Sequence, residues 1–439
     1  MKNIVKFLFS FAIIPFSLTS CMNSNVATLI YESKDKVKLD GDYIYSESYQ
    51  TFEESTLSFA SRFSSYIYQD YKNTYDNLVV SPASMYMGLA MAAASTNNSS
   101  REEILKVLNI SSYDELIDNI PTFYSLLNNE NHFGVTNFTN SLWLDTKCEF
   151  KDEGLKELSD NFFTTSYYGD FFNQNKEMNK SIQNYVKDKT KGLINNEFNF
   201  GENTMLVLLN ILYYKDIWNE LGDDLPYFDK EIEFKNKNGE ISKKKFLEGY
   251  YNVGQVYENE KYETFYTKTR RNYTLQFIKP KDGYSIDEVF NESTIKEIEN
   301  IESYNPYDEI NKIKYHTRTI FPEFEGEFNE DLLDFMKNRF NLVNSTNEVL
   351  ADFSSIIKDD FLKESNVFIS TIIHITKLKV NKKGIEGAAV TAIGADGATG
   401  DRPIEYKDIY KDFIIDKTFG FYIKDSNENI IFSGVINKI

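Results

Sequence analysis

Between Gly384 and Gly400 nearly every side chain is small, with glycine at 384, 387, 394, 397 and 400. Apolar, strand-like segments flank this run, residues 367–380 before it and 419–423 after it. It therefore reads as a loop of about 30 residues, counting its acidic, tyrosine-bearing end, and long loops inside compact domains are usually functional. A linker would be polar, and the first half of this run is not. Ile385, Gly387, Ala389, Thr391 and Ile393 share one face of a notional strand, and Glu386, Ala388, Val390 and Ala392 share the other. Such a segment can lie between two existing strands, so leaving it exposed as a loop stores free energy.

Residues 49–439 contain no Pro/Gly-rich linker and no repeat, and they read as one large domain. Leu57, Phe59, Phe63, Tyr66 and Ile67 recur near helical spacing over 52–71. Ser81 before Pro82 is a helix start, with serine as cap and proline at the first helical position. The helix predicted over 83–95 is apolar nearly all round. It is expected to be buried, with Gly88, Ala90 and alanines 92–94 admitting neighbouring backbone closely. Residues 137–144, 204–214, 272–278 and 367–380 read as strands, 204–214 buried on both faces. Residues 419–423 and 430–436 read as a closing hairpin around 425–429. Helices early and strands late, without regular alternation, predict an α+β fold with a large sheet.

The first 21 residues read as an address. Lys2 and Lys6 precede an apolar run of about 12 residues, short of the roughly 20 that a spanning helix needs. The run ends in Leu18-Thr19-Ser20-Cys21, which resembles the lipobox of bacterial lipoproteins, where the cysteine is lipidated and becomes the mature N-terminus. The chain is thus expected to be exported and lipid-anchored (palmitate among the acyl chains) to a bacterial membrane or surface. Residues 22–48 are polar and are expected to be a flexible tether, with an r.m.s. span near 30 Å.

Charge and composition remove several function classes. Lys and Arg number 48 against 67 Asp and Glu, a net charge of −19, and no basic cluster offsets it, so nucleic acid is not an expected partner. Cys21, Cys148, His132, His316 and His374 fit no zinc spacing, and no phosphate-binding Gly-Lys-Ser/Thr loop occurs. Neither metal nor cofactor is expected. With Cys21 lipidated, Cys148 has no disulfide partner.

From about residue 50 onward the chain resembles a serpin. NLVVSPASMYMGLAMAAAST (77–96) is similar to the family's Asn-x-x-x-SPxS helix. LNILYYKDIW (209–218) resembles its Asn-Ala-x-Tyr-Phe-Lys-Gly-x-Trp strand, with Asn210, Lys215 and Trp218 matching. ADFSSI (351–356) and VFISTIIHITKLKVNKKGIEGAA (367–389) resemble the strand and hinge leading into the reactive loop. FIIDKTFGFYIKD (413–425) and FSGVI (432–436) resemble the closing strands.

The resemblance implies a large central sheet with additional sheets, about nine helices and an exposed reactive-centre loop. It implies inhibition of serine proteases, with cysteine proteases as a further class, and no catalysis by the chain itself. A protease cleaves the loop as substrate, forms its acyl-enzyme, and is dragged along as the cut loop inserts into the sheet. The product is a trapped enzyme and a spent inhibitor, and a monomer is expected.

Family counting from Gly384 puts the reactive bond at Ala398–Thr399, which fits elastase-like or subtilisin-like proteases. Arg402 is the alternative for trypsin-like ones, at the expense of four more inserted residues. The hinge comprises Gly384, Ile385, Glu386, Gly387, Ala388 and Ala389. Ser81, Ser84, Asn210 and His374 match the polar cluster under the sheet where strands part, and Trp218 matches the aromatic where the loop enters. His374 is not expected to be a catalytic base, because no G-x-S-x-G elbow supplies a nucleophile.

Ile385 stands where the family usually has Thr or Ser, Gly387 where it has Ala, and Lys382 where it has an acid. The loop is also about seven residues longer than usual. These departures keep a second reading open, a non-inhibitory serpin used as substrate or binding protein. A lipid-anchored solute-binding protein or adhesin is a third reading, but it leaves the Gly/Ala run unexplained.

Overall fold

A computed structural model describes residues 26–34, 36–39, 41–218, 224–301, 304–386 and 406–439. Among these are ten α-helices, one more than the resemblance implied, two of them single turns of four residues (Ile286–Val289 and Asp359–Leu362). Three helices position the site. Helix α1 (Glu47–Tyr71) starts where Ser46 accepts the Tyr49 N–H, and it buries Phe52, Phe59, Phe63 and Ile67. Helix α2 (Pro82–Ser95) is capped by Ser81 and buried on nearly every side. Helix α3 (Asn175–Lys189) lays Met178, Ile182 and Val186 against the outer face of the sheet.

Ten strands matter here: β1 (Ala27–Tyr31), β2 (Asn77–Val80), β3 (Gly134–Asp145), β4 (Thr164–Gly169), β5 (Leu206–Ile217), β6 (Phe324–Asp331), β7 (Ile373–Asn381), β8 (Gly384–Ile385), β9 (Phe419–Lys424) and β10 (Ile430–Ile436). They belong to one fourteen-stranded sheet, in the order β1-β4-β3-β5-β8-β7-β6-β2-β10-β9, which continues through strands Thr274–Pro280 and Tyr262–Lys268. A separate five-stranded sheet carries Lys407–Ile414 in parallel register beside Ile313–Phe321.

β5 pairs with β3 along its whole length, from Asp216 opposite Gly134 to Leu206 opposite Leu144. β7 pairs with β6 from Val380 to Ile373. Between β5 and β7 only the two residues of β8 intervene, at what we call the upper end. Below β8 the two strands are not hydrogen-bonded neighbours, so the sheet is parted along a seam.

The seam explains where strand expectations and structure differ. Val207, Leu209 and Ile211 are buried under α3, but Leu206, Leu208 and Leu212, which face inward, are only half-buried. The two-sided burial expected of this strand is therefore incomplete. The strand expected over 367–380 begins only at Ile373. Residues before it are held instead by Asp331, which accepts from the Thr371 hydroxyl and the Ile372 N–H, and by Ser345, whose carbonyl accepts the Ile369 N–H.

Residues 22–48, expected as a flexible tether, carry β1, which pairs antiparallel with β4, and a short 3-10 helix, Tyr43–Tyr45. The expectation averaged over a polar stretch and passed over its strand-forming core, Ala-Thr-Leu-Ile-Tyr. Cys21, Gly387, Ala388, Ala389, Ala398, Thr399 and Arg402 lie outside the described residues.

Phe63 ties α1 to the sheet, fully buried with its ring edge-on to His374 at 5.7 Å. Phe63→Ala is expected to destabilise the fold by about 3–5 kcal/mol, read as a lower urea midpoint; an unchanged midpoint would contradict this packing.

Candidate functional site

The upper end of the seam is closed by Gly384 and Ile385. Gly384 pairs with Ile217 and Asn381, and Ile385 with Asp216 and Val380. Gly384 adopts φ +154°, and a Cβ there would lie 2.1 Å from the Asp216 carbonyl oxygen, so only glycine fits. Ile385 is fully buried, which gives its departure from the family's small polar residue a physical use as a core plug. At Glu386 the backbone turns left-handed, φ +43°, and leaves the ladder after one more bond, from its N–H to the Lys379 carbonyl.

The Glu386 carboxyl is held above its ordinary pKa by burial, against the opposing pull of Lys215, Lys377 and Lys379 from both walls of the seam. Its Oε2 is buried without a hydrogen-bond partner.

Sequence reasoning missed Asp216, which is fully buried beneath this plug. Its Oδ2 accepts the Thr269 hydroxyl at 2.6 Å, while Oδ1 is buried without a partner. Burial pushes its carboxyl up to about 7, with the Thr269 bond and Arg271 pulling the other way. The available signal was an acid inside an apolar strand, at the position where the family strand has glycine.

Lower down, the expected polar cluster is assembled. The Ser81 N–H donates to His374 Nε2 at 3.2 Å, and the Ser81 hydroxyl donates to the Ile431 carbonyl at 2.7 Å. Ser84 bonds Asn210 Oδ1 through its hydroxyl, and the Asn210 amide reaches Asn140 Oδ1 at 2.5 Å. Asn140, in turn, donates to the Phe162 carbonyl. Burial lowers the His374 pKa to about 3. The imidazole is therefore neutral, accepts at Nε2, and joins β7 to the start of α2. Asn140 was the member that sequence reasoning did not find, because it reaches α2 only through Asn210, opposite it on β5.

Trp218 sits beside the plug, its indole N–H donating 2.7 Å to the Asn381 carbonyl. Lys382 forms an ion pair with Asp224 at 2.7 Å, so the loop base keeps a salt bridge with the charge on the other side.

Behind the seam lies a cavity of about 110 Å³, lined by Leu206 and Leu208 of β5, residues 368–375, and Ser84, Gly88 and Ala92 of α2. Nothing lies within 4 Å of a Cβ placed on Gly88. Its small size leaves open space under the seam, and does not serve the close backbone approach expected from sequence.

The family model described as Serpin (serine protease inhibitor) matches residues 58–439. Iripin-1 of Ixodes ricinus is 24% identical over 373 residues, covering 83% of this chain and 89% of Iripin-1. The leukocyte elastase inhibitor of Sus scrofa is 25% identical over 386 residues, covering 83% of this chain and 94% of that protein. Among solved structures, the thermophilic serpin tengpin in its native state superposes with a TM-score of 0.71 at 20% identity, over 94% of this chain and all of that one.

Asp216 gives a pH signature of definite sign. Its carboxyl ionises near 3.8 when unfolded and near 7 when folded. Its contribution to stability is therefore lost as pH rises from about 4 to 7, up to about 4 kcal/mol at full ionisation. Asp216→Asn should melt higher than the parent at pH 8, with the difference vanishing near pH 4. Equal melting temperatures at pH 8 would contradict the assignment.

Proposed function

The chain belongs to the serpin family, and we propose that it is a single-use inhibitor of serine proteases, anchored to a bacterial membrane or surface through lipidated Cys21. The observation that carries this reading is the seam, two facing strand edges plugged at one end by the first residues of a run able to fill it.

The pairing of β8 supports one register for that run's entry. Continued residue by residue, it sets Thr391 opposite Asn210 on one side and His374 on the other, so the hydroxyl joins the polar cluster. It sets Ala398 opposite Asn203 and Val367, at the far end of the strand expected over 367–380. Residues 367–372 then gain the ladder partner that they lack while the seam is parted. Inward-facing Gly387, Ala389 and Thr391 of the incoming strand are small, and Ala389, Ile393 and Ala395 would come opposite Leu212, Leu208 and Leu206 and cover them.

The same register supports Ala398–Thr399 as the reactive bond. From 385 to 398 is 14 residues, about 46 Å of strand, which compares with the 12 residues of β5. Ending at Arg402 would set that residue opposite Lys363, against the helical turn Asp359–Leu362, which offers no edge to pair with.

In the reaction the protease serine Oγ attacks the Ala398 carbonyl, Thr399 leaves as the amine, and the ester joins enzyme to loop. Insertion carries that ester down the seam, and displacement of catalytic groups by about 1 Å can already slow deacylation ~100-fold. Alanine at the cut fits elastase-like or subtilisin-like enzymes, and the elastase inhibitor among the relatives points the same way.

One observation favours the second reading, a serpin used as substrate or binding protein. Glu386 must leave its left-handed conformation and move its buried carboxyl before the ladder can extend, and slow insertion lets deacylation win.

The two readings separate on a denaturing gel after mixing with elastase-, subtilisin- and trypsin-like proteases. Inhibition yields a covalent band of summed mass, whereas clean cleavage without that band supports the substrate reading. Thr391→Arg, which would force a charge into the polar cluster, should convert the band into cleaved product. Retention of the full band would contradict the register.

A further inference from the structure

The direction of β1 places the start of the described chain at the lower end of the sheet. Ala27 pairs with Gly169, Gly169 with Asp145, and the Asp145 N–H bonds the Met205 carbonyl, so these residues form one row across four strands. The plug at Gly384 marks the opposite end. From Cys21 to Val26 is six residues, which reach at most about 20 Å.

We propose that the lower end, around Ala27 and Phe172, is a membrane-facing surface, and that attachment there opposes completion of the protease trap. This rests on the anchorage and inhibition proposed above. Phe172 is 47% exposed and Lys147 Nζ stands 3.4 Å from its ring centroid, an aromatic–cation pair suited to lipid headgroups. Glu386, the last described residue before the reactive loop, then lies at the end of the sheet away from the bilayer.

The difficulty comes after cleavage. Full insertion takes Ala398 below Leu206, to the same end of the molecule as the anchor. The inserted strand lies four positions from β1, about 19 Å sideways. A protease of about 220 residues has a radius of gyration near 17 Å and is about 44 Å across. It does not fit between this end and a bilayer that the chain reaches within about 20 Å. The body must tilt away, against both the short connection and the Phe172 contact, while deacylation competes. On a membrane the chain therefore turns over more often as substrate, and in solution it traps more often.

The test uses the full chain, lipidated in a bacterial host and placed in vesicles of phosphatidylethanolamine and phosphatidylglycerol. It is compared with the soluble Cys21→Ser chain and with a lipidated chain carrying a twenty-residue Gly/Ser insert after Asn23. The readout is inhibitor consumed per covalent complex. The expected result is a several-fold higher ratio for the vesicle-bound parent, restored to the soluble value by the insert.

Equal ratios for all three, with the parent vesicle-bound and the soluble chain trapping, would overturn this inference alone. A parent that does not partition to vesicles would overturn it together with the anchorage. A soluble chain that forms no complex would overturn it together with the inhibitory reading.

Discussion

Everything in this protein depends on two strand edges that face one another without being paired. Alternate residues of β5 and β7 direct N–H and C=O groups toward the seam, and below β8 they have no strand partner. A typical backbone hydrogen bond contributes only about 1 kcal/mol net, but a central strand supplies one from nearly every N–H and C=O it brings. The inward leucines of β5 add apolar area that is still half-exposed. The described arrangement thus leaves both a polar and an apolar demand unmet, and one segment of the chain has the dimensions to meet both.

What keeps the arrangement in place is local. Ile385 seals the top, Gly384 fits only because it lacks a side chain, and Glu386 turns the chain out of the sheet. Beneath, the neutral His374 and the Ser84–Asn210–Asn140 chain join the separated halves to α2. Those bonds occupy the level at which an entering Thr391 would arrive.

Much of this was legible in the sequence because the motifs carry strong local physics. Ser81-Pro82 set the start of α2, and Gly384, read as the first hinge residue, stands where β8 begins. Residues 367–372 misled for the same reason. Their strand pattern describes a ladder whose partner is not there. β1 was missed because five β-branched and apolar residues were diluted by polar neighbours, and edge pairing has no local signature. Asp216 was missed because its burial comes from the loop 269–273 and the plug, neither of which is near it in sequence.

Hydrogen exchange of the amides in 206–215 and 373–379, measured on the intact chain and again after the loop is cut, tests the parted seam most directly. Alternate amides on each strand are expected to exchange readily in the intact chain and to become strongly protected after cleavage. Protection already complete before the cut, or unchanged by it, would contradict the account.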